Sequence, residues 1–326
     1  MERALVTAIG SFAADIVIRN LKETGFYVVG CDIYDEKWVA ESLETDEFFR
    51  APYASDETAY IRFLIKLCSE KNISFLIPLT DAEVDVLNRY RKAFEEIHTV
   101  LCLSPEQTIS LCRDKLRLEE YIRKAGLCST IPSKKLIKAV EQYKTAESFP
   151  WNQVVLKPFN GRSSSGLYRV YDKEKLPSYL GLIDNPKEYV IQPLIEGTVI
   201  TVDIVRDAMG NTAAVPRREL LRTLNGAGTS VEVFRDEDLE ETCGKIAGIL
   251  DIRGCVNFEF IEEKGTGKRY FMECNPRFSG GAAFSCEAGY DMVANHIRVF
   301  QGGEIEKENR SVPRYIARKY QEYRMN

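Results

Sequence analysis

Two glutamates and an asparagine late in the sequence have the spacing of a metal site. In "GCVNFEFIEEKGTGKRYFMECNPRFSGG", two runs with strand alternation flank the turn Lys264-Gly265-Thr266-Gly267. Folding the segment about Thr266 sets Glu259 opposite Glu273 and Asn257 opposite Asn275. Side chains alternate faces along a strand, so all four share one face. Val256, Phe258 and Phe260 then point the other way with Tyr270, Met272 and Cys274. Ile261 and Phe271 remain on the carboxylate face, which argues against a simply solvated surface. Directly opposed carboxylates repel. A cation between them removes that cost. Two carboxylates with an amide suit Mg²⁺ (or Mn²⁺), which completes its octahedron with water and phosphate oxygens. Arg277 follows Asn275 by two residues, behind Pro276. A guanidinium there can hold a transferring phosphoryl group or an oxyanion.

A second stretch bears on the same chemistry. "VVLKPFNGRSSSGLYRV", residues 154–170, joins two alternating apolar runs through a donor-rich loop with Lys157 at its mouth. A Walker A loop leads from a strand into a helix and carries Gly-Lys-Ser/Thr, and neither feature is present. The amides and hydroxyls of Gly161, Ser163, Ser164, Ser165 and Gly166 can wrap phosphate oxygens as a nest. A plain flexible turn is the alternative.

Composition narrows what else the chain can do. Its 326 residues are 44% hydrophobic and 29% charged, which describes a globular protein with enough apolar mass for a core. A net charge of −5 leaves no electrostatic footprint for nucleic acid. No apolar run approaches the roughly 18–20 residues that span a bilayer, so no membrane partner is expected. The nine cysteines lack a C-x-x-C pair. With a start, "MERALVTAIG", that lacks the basic n-region of a secretory leader, the expected location is the cytoplasm. Only His98 and His296 are histidines, which nearly excludes zinc triads and His-activated nucleophiles. The chemistry must come from carboxylates, Lys, Arg and backbone amides.

The elements that must position these groups follow from periodicity. "RALVTAIG", "SFAADIVIRNLKETG" and "FYVVGCDI" read as strand, helix and strand, a βαβ opening that implies a parallel sheet. "DETAYIRFLIKLCSEKN", "ISFLIPLTD", "AEVDVLNRYRKAFEEI" and "HTVLCLS" complete a doubly wound domain over residues 1–103. It lacks the dinucleotide fingerprint, because no glycine follows Gly10 until Gly25. That disfavours a dehydrogenase. Asp81 and Glu83 lie at a strand's C-terminal end, where open sheets bind ligands, although acids also favour a helix N-terminus for its dipole. Ser104-Pro105 marks a boundary. A helix, "EQTISLCRDKLRLEEYIRKAG", leads to the 154–170 loop, and mostly strands follow to residue 275. The tail segment "VPRYIARKYQEY" can dock.

Taken together, strand–Lys157-Pro–serine/glycine loop–strand, "EYVIQPLIEG" and Glu259…Glu273-x-Asn275-Pro-Arg277 resemble the ATP-grasp superfamily. The resemblance is nearest to carbamoyl-phosphate-synthase-like carboxylate–amine ligases and covers nearly the whole chain. It implies a mixed α/β and α+β fold: a pre-ATP-grasp Rossmann-like domain over 1–103, then an ATP-grasp domain over 104–308. The small lobe would span about 115–190 and the large lobe about 191–308, with a C-terminal tail over 309–326. It further implies that Lys115 and Lys157 bind the nucleotide, with Lys157 contacting phosphate and adenine. Residues 160–166 would cover the phosphates. Gln192, Leu194 and Ile195 would form the adenine hinge. Glu259, Glu273 and Asn275 would bind Mg²⁺, and Arg277 would be the catalytic arginine. Asp203 and Arg218 fall where relatives place substrate-side groups, though strand-face roles are equally open. Many relatives carry a ribose-binding Glu where this chain has Val199, which leaves Glu196 as the nearest carboxylate. The implied reaction joins a small-molecule carboxylate to an amine at the expense of ATP through an acyl phosphate, in an expected homodimer. A kinase-like or carboxylating reaction, or a silent nucleotide-binding regulator, are the alternatives.

Overall fold

The computed structural model of the protein describes residues 1–142, 149–159, 161, 166–224 and 226–325. The N-terminal unit runs β1 (Arg3–Thr7), α1 (Ala14–Glu23), β2 (Tyr27–Asp32), β3 (Glu47–Arg50), α2 (Glu57–Lys71), β4 (Phe75–Ile77), α3 (Asp81–Arg89), α4 (Arg91–Glu96) and β5 (Val100–Leu101). Its sheet has the order β3-β2-β1-β4-β5, with every pair parallel. β1 and β4 are continuously apolar because helices cover both faces. Strand β3, "EFFR", escapes the sequence reading because it is a short, charged, half-exposed edge strand. The expected single helix over 82–97 divides at Tyr90, which leaves helical geometry at φ −115°, ψ 20°. Asp32 ends β2 by accepting hydrogen bonds from the Gly10 and Tyr34 amides. That carboxylate is thereby committed to the βα turn.

The second unit begins with α5 (Glu106–Arg113) and α6 (Lys115–Ala125). The sequence reads these as one helix. Asp114 divides them, because its side chain caps α6 by accepting from the Leu116 and Arg117 amides. The cap sets Lys115 at the first helical position. Next come β6 (Ser129–Thr130), β7 (Lys134–Lys135), α7 (Leu136–Gln142), β8 (Val154–Pro158), β9 (Tyr168–Val170), α8 (Leu176–Leu180) and β10 (Tyr189–Pro193). A four-stranded antiparallel sheet, β7-β10-β8-β9, forms the small lobe. Its core is Leu136, Ala139, Val154, Leu156, Val170 and Ile191.

The large lobe contains β11 (Gly197–Arg206), β12 (Thr212–Arg222), β13 (Gly228–Val233), α9 (Glu237–Ile249), β14 (Gly254–Glu263), β15 (Arg269–Asn275), α10 (Ala282–Glu287), α11 (Met292–Phe300) and β16 (Arg314–Ala317). Its seven-stranded sheet has the order β16-β13-β12-β11-β14-β15-β6. The segment "RYIA" near the C-terminus is the edge strand paired with β13. One buried cluster crosses the unit boundary, since Val17 and Leu21 of α1 share it with Ala282 and Val293. Asn20 also donates to Asp291 across this boundary.

The β14–β15 register agrees with the sequence reading at the functional end and departs from it toward the turn. Asn257 pairs Asn275 and Glu259 pairs Glu273, but Phe260 pairs Phe271. A one-residue bulge at Met272 makes the difference, and such a bulge reverses the facing of every residue beyond it. Phe271 is therefore in the core, its ring 5.4 Å from Phe260 and 5.7 Å from Phe258, and Met272 lines the cleft instead. The expectation that Phe271 shares the carboxylate face and Met272 the opposite one is corrected.

His296 of α11 has a structural role with a measurable consequence. It is 3% exposed, between the rings of Phe278 and Phe300, and its Nδ1 accepts the Cys255 amide at 2.8 Å. Burial pushes its pKa down from 6.5 to about 3. The folded state thus holds His296 neutral while the unfolded state takes up a proton below 6.5. Stability is complete above that pH and falls as pH drops toward 3. Between pH 7.5 and 5, urea unfolding should show the wild type losing about 2 kcal/mol more than His296→Gln. Equal losses would mean that this imidazole is not held neutral.

Candidate active site

Register across the large sheet assembles the site row by row. Thr201 pairs both Arg217 and Glu259, and Glu259 pairs Glu273. Arg217, Thr201, Glu259 and Glu273 therefore form one row on one face. The next row is Asp203, Asn257 and Asn275. The small lobe supplies cations above this face. Lys115 Nζ lies 3.2 Å from Glu273 Oε2 and donates to the Gly161 carbonyl at 3.0 Å. Lys157, buried on β8, lines the same cleft. The three units enclose a cleft of about 860 Å³ that also takes in Ser11, Thr80 and Asp81 of the N-terminal unit.

The electrostatics are those of two lysines facing a pair of carboxylates. Burial drives the Lys157 pKa down to about 8, and the Glu273 carboxylate works against that fall. Burial opposes the charge on Glu273 as well, but Lys115 and Lys157 outweigh it and hold this carboxyl below its ordinary range. Glu259 is raised by burial and by repulsion from Glu273. One member of the pair thus carries its charge at a cost that a further cation would remove. Asn275 Nδ2 donates to Asn257 Oδ1 at 3.3 Å, which turns its amide oxygen away from that partner. Among the described residues, no three His, Cys, Asp or Glu side chains cluster as a complete metal cage. Two carboxylates and an amide fit Mg²⁺ when ligand phosphates complete the shell.

The cleft lining includes the apolar side chains of Ile131, Val155, Leu194, Val199, Ile261 and Met272, and a slot between them would suit a planar base. Ile195, Gln192 and Glu196 border it. Gln192 is buried and donates to Ser133 Oγ at 2.6 Å. The Leu194 amide donates to the Gln153 carbonyl at 3.0 Å, so that donor already has a partner. Glu196 is exposed at the cleft rim, and its carbonyl accepts the Lys264 amide. Gly161 lines the cleft, and Gly166 has φ +70°, a left-handed conformation that glycine adopts without strain. Ser163, Ser164 and Ser165 lie outside the described residues.

Four other expected residues fall in distinct places. Asp81 is at the cleft, where it accepts from Arg277 Nε at 3.1 Å and Nη2 at 2.9 Å. Glu83 is absent from the cleft lining and completes the cap of α3 instead. It accepts from the Thr80 amide and hydroxyl and from the Tyr60 hydroxyl. That is the helix-terminus alternative for an acid at this spacing. Asp203 is wholly buried, and it accepts from Arg217 Nη1 and Ser285 Oγ at 2.7 Å each. Arg218 lies on the opposite face of β12, paired with Glu262 and Glu232 and stacked over Phe234. Its substrate-side placement is corrected: alternation along β12 turns Arg217, not Arg218, toward the cleft.

The sequence reading missed Arg217, Glu219 and Arg222, all of which line the cleft. The signal was the two-residue spacing of Arg217 and Glu219. Reading it required knowing which β12 residue stands beside Glu259, a pairing made through β11. Gly281 is explained by the same arginine, since a Cβ there would sit 2.6 Å from Arg217 Nη2.

Comparison with known proteins bears on the architecture. Residues 185–322 match the family model "ATP-grasp in the biosynthetic pathway with Ter operon", and residues 7–102 match "PylC-like, N-terminal domain". The carbamoyl phosphate synthase large chain of Thermotoga petrophila is 24% identical over 325 residues, covering 93% of this chain. The chain spans 28% of that relative's length. Among solved structures, the biotin carboxylase domain of Hydrogenobacter thermophilus 2-oxoglutarate carboxylase, a dimer with MgADP, ADP and bicarbonate, superposes with a TM-score of 0.79. It is 20% identical, and the match covers 96% of this chain and 73% of that one. N5-carboxyaminoimidazole synthetase from Staphylococcus aureus superposes with a TM-score of 0.75 at 17% identity, covering 94% of this chain and 78% of that one. Residues 185–322 thus carry an ATP-grasp family match, preceded by a match to a PylC-like N-terminal domain over residues 7–102.

Proposed function

We propose that the protein is an ATP-dependent ligase that joins a carboxylate to an amine through an acyl phosphate. The observation that carries this reading is one constellation: Lys115 and Lys157 over the Glu259–Glu273–Asn275 face, beside an apolar slot. The slot takes the adenine, with Gln192, Leu194 and Ile195 at its edge and Glu196 reaching for the ribose. Lys115 and Lys157 draw the phosphates toward the carboxylate face. Glu259, Glu273 and Asn275 would hold Mg²⁺, which supplies charge neutralisation to the transferring phosphoryl group. The substrate carboxylate attacks the γ-phosphorus, the bond to the β-phosphate oxygen breaks, and ADP leaves. The amine then attacks the acyl carbon and expels inorganic phosphate. No side-chain nucleophile is required, in keeping with a buried, neutral His296 and with cysteines whose thiols are held protonated by burial, such as Cys255 and Cys243.

The likeness to a carbamoyl phosphate synthase and to a carboxyaminoimidazole synthetase supports this chemistry. The dimeric biotin carboxylase domain supports a homodimer. Among the described residues no helix is long and apolar enough to cross a membrane, and the nine cysteines stand free. A reducing cytoplasm is the proposed setting.

Hydroxylamine tests the mechanism. With ATP, Mg²⁺ and the correct carboxylate from a panel of small acids and amino acids, the acyl phosphate should be trapped as a hydroxamate in step with ADP release. ADP release supported by bicarbonate alone would favour a carboxylating reaction. ADP release with a carboxylate but no hydroxamate, and no oxygen isotope passed from carboxylate to phosphate, would rule out the acyl phosphate.

A further inference from the structure

The arginine expected to serve phosphoryl transfer is already engaged around its guanidinium. Arg277 holds both oxygens of Asp81 through Nε and Nη2, and its Nη1 donates to the Phe278 carbonyl at 3.0 Å. It braces the ATP-grasp domain against the N-terminal unit. A different arginine faces the metal carboxylates. Arg222 closes β12, and its Nε donates to the Gly226 carbonyl at 2.7 Å within its own turn. Its Nη2 stands 3.6 Å from Glu259 Oε2, an ion pair too long to be a hydrogen bond. The Arg222 side chain is 30% exposed, against 19% for Arg277 and 1% for Arg217. Of the three cleft arginines carried by the large lobe it is the most exposed; the fourth, Arg169, belongs to β9 of the small lobe.

Glu259 cannot retain this partner unchanged when a divalent cation arrives, because both positive charges would crowd one carboxylate. Glu259 also has reason to hold a cation at all times. Its carboxylate stands opposite that of Glu273 across the hairpin, and Arg222 is the arginine paired with it. We propose that Arg222 is a phosphate-binding catalytic residue that exchanges partners. In the nucleotide-free protein it neutralises Glu259. When metal and nucleotide enter, it yields that carboxylate to the metal and turns its Nη groups to the phosphate oxygens. The Nε bond to Gly226 anchors the stem, so only the guanidinium end re-aims. Guanidinium suits the second position because its planar fork matches phosphate geometry. The exchange moves ions only and makes or breaks no covalent bond.

The inference rests on the ATP-dependent reading, and its test separates the two. Free Mn²⁺ binding to the nucleotide-free chain is measured by electron paramagnetic resonance for wild type, Arg222→Gln and Arg222→Lys. Binding of a non-hydrolysable ATP analogue with Mn²⁺ is measured alongside. Removing the competing charge should tighten free Mn²⁺ about tenfold in Arg222→Gln and weaken the analogue about tenfold, with Arg222→Lys close to wild type in both. Opposite signs are the signature, since a merely structural defect weakens both. Free Mn²⁺ bound no tighter by Arg222→Gln overturns the exchange. Tighter Mn²⁺ with unchanged analogue affinity overturns the phosphate role. If the wild type binds no analogue, the ATP reading fails, and the free Mn²⁺ measurement still decides whether Arg222 competes for Glu259.

Discussion

Glu273→Gln should lower Mg²⁺-dependent ADP formation about a hundredfold or more, the scale expected when a preorganised charge is lost from a phosphoryl-transfer site. The substitution preserves size and removes only the charge. That charge has two tasks. It faces Glu259 across the hairpin as half of the proposed metal pair, and it holds Lys115 at 3.2 Å while countering the burial of Lys157. Without it the two lysines repel with only Glu259 left as a carboxylate acting on Lys157, and Lys157 is easier to deprotonate. Metal affinity and phosphate affinity should therefore decline together. Steady-state ADP release under the carboxylate that stimulates the wild type measures the effect, with circular dichroism as a check on folding. Full activity in Glu273→Gln, or wild-type activity unchanged in excess chelator, would remove the metal assignment.

Arg217→Met should destabilise the protein by about 3–5 kcal/mol, whereas Arg218→Met should cost about 1 kcal/mol or less. The two arginines are neighbours in sequence and opposite in environment. Arg217 is 1% exposed and bonds Asp203 at 2.7 Å and Ser279 at 2.9 Å, with Glu219 at 3.3 Å. Removing it leaves the Asp203 carboxylate, wholly buried, without its counter-ion. Arg218 pairs with Glu262 and Glu232 on a partly solvated face, where water and salt replace most of what is lost. Thermal unfolding of the two variants under identical conditions gives the comparison. Equal effects would contradict the assignment of faces along β12.

The sequence revealed most about groups whose relation is local. The two sides of the β14–β15 hairpin are joined by a short turn, so alternation and turn position alone brought Glu259 to Glu273 and Asn257 to Asn275. The same reasoning failed beyond them, because the bulge at Met272 depends on how Phe271 packs against Phe258 and Phe260. The βαβ opening was legible because buried parallel strands are continuously apolar. The edge strand β3 was hidden because an edge needs no such run.

By itself, then, the sequence determined the chemistry available: only two histidines, opposed carboxylates, lysines beside a loop rich in glycine and serine, and a fold able to bring them together. Tertiary structure decided which arginine does what. Arg277 meets Asp81 across 196 positions of chain, Arg217 meets Asp203 inside the sheet, and Arg222 meets Glu259 across a cleft wall. Periodicity states which face of a strand a residue occupies relative to its neighbours. It does not state which strand lies alongside or which domain covers it. Those depend on burying apolar surface across the whole molecule, and charged side chains take their partners only after that burial has set their positions.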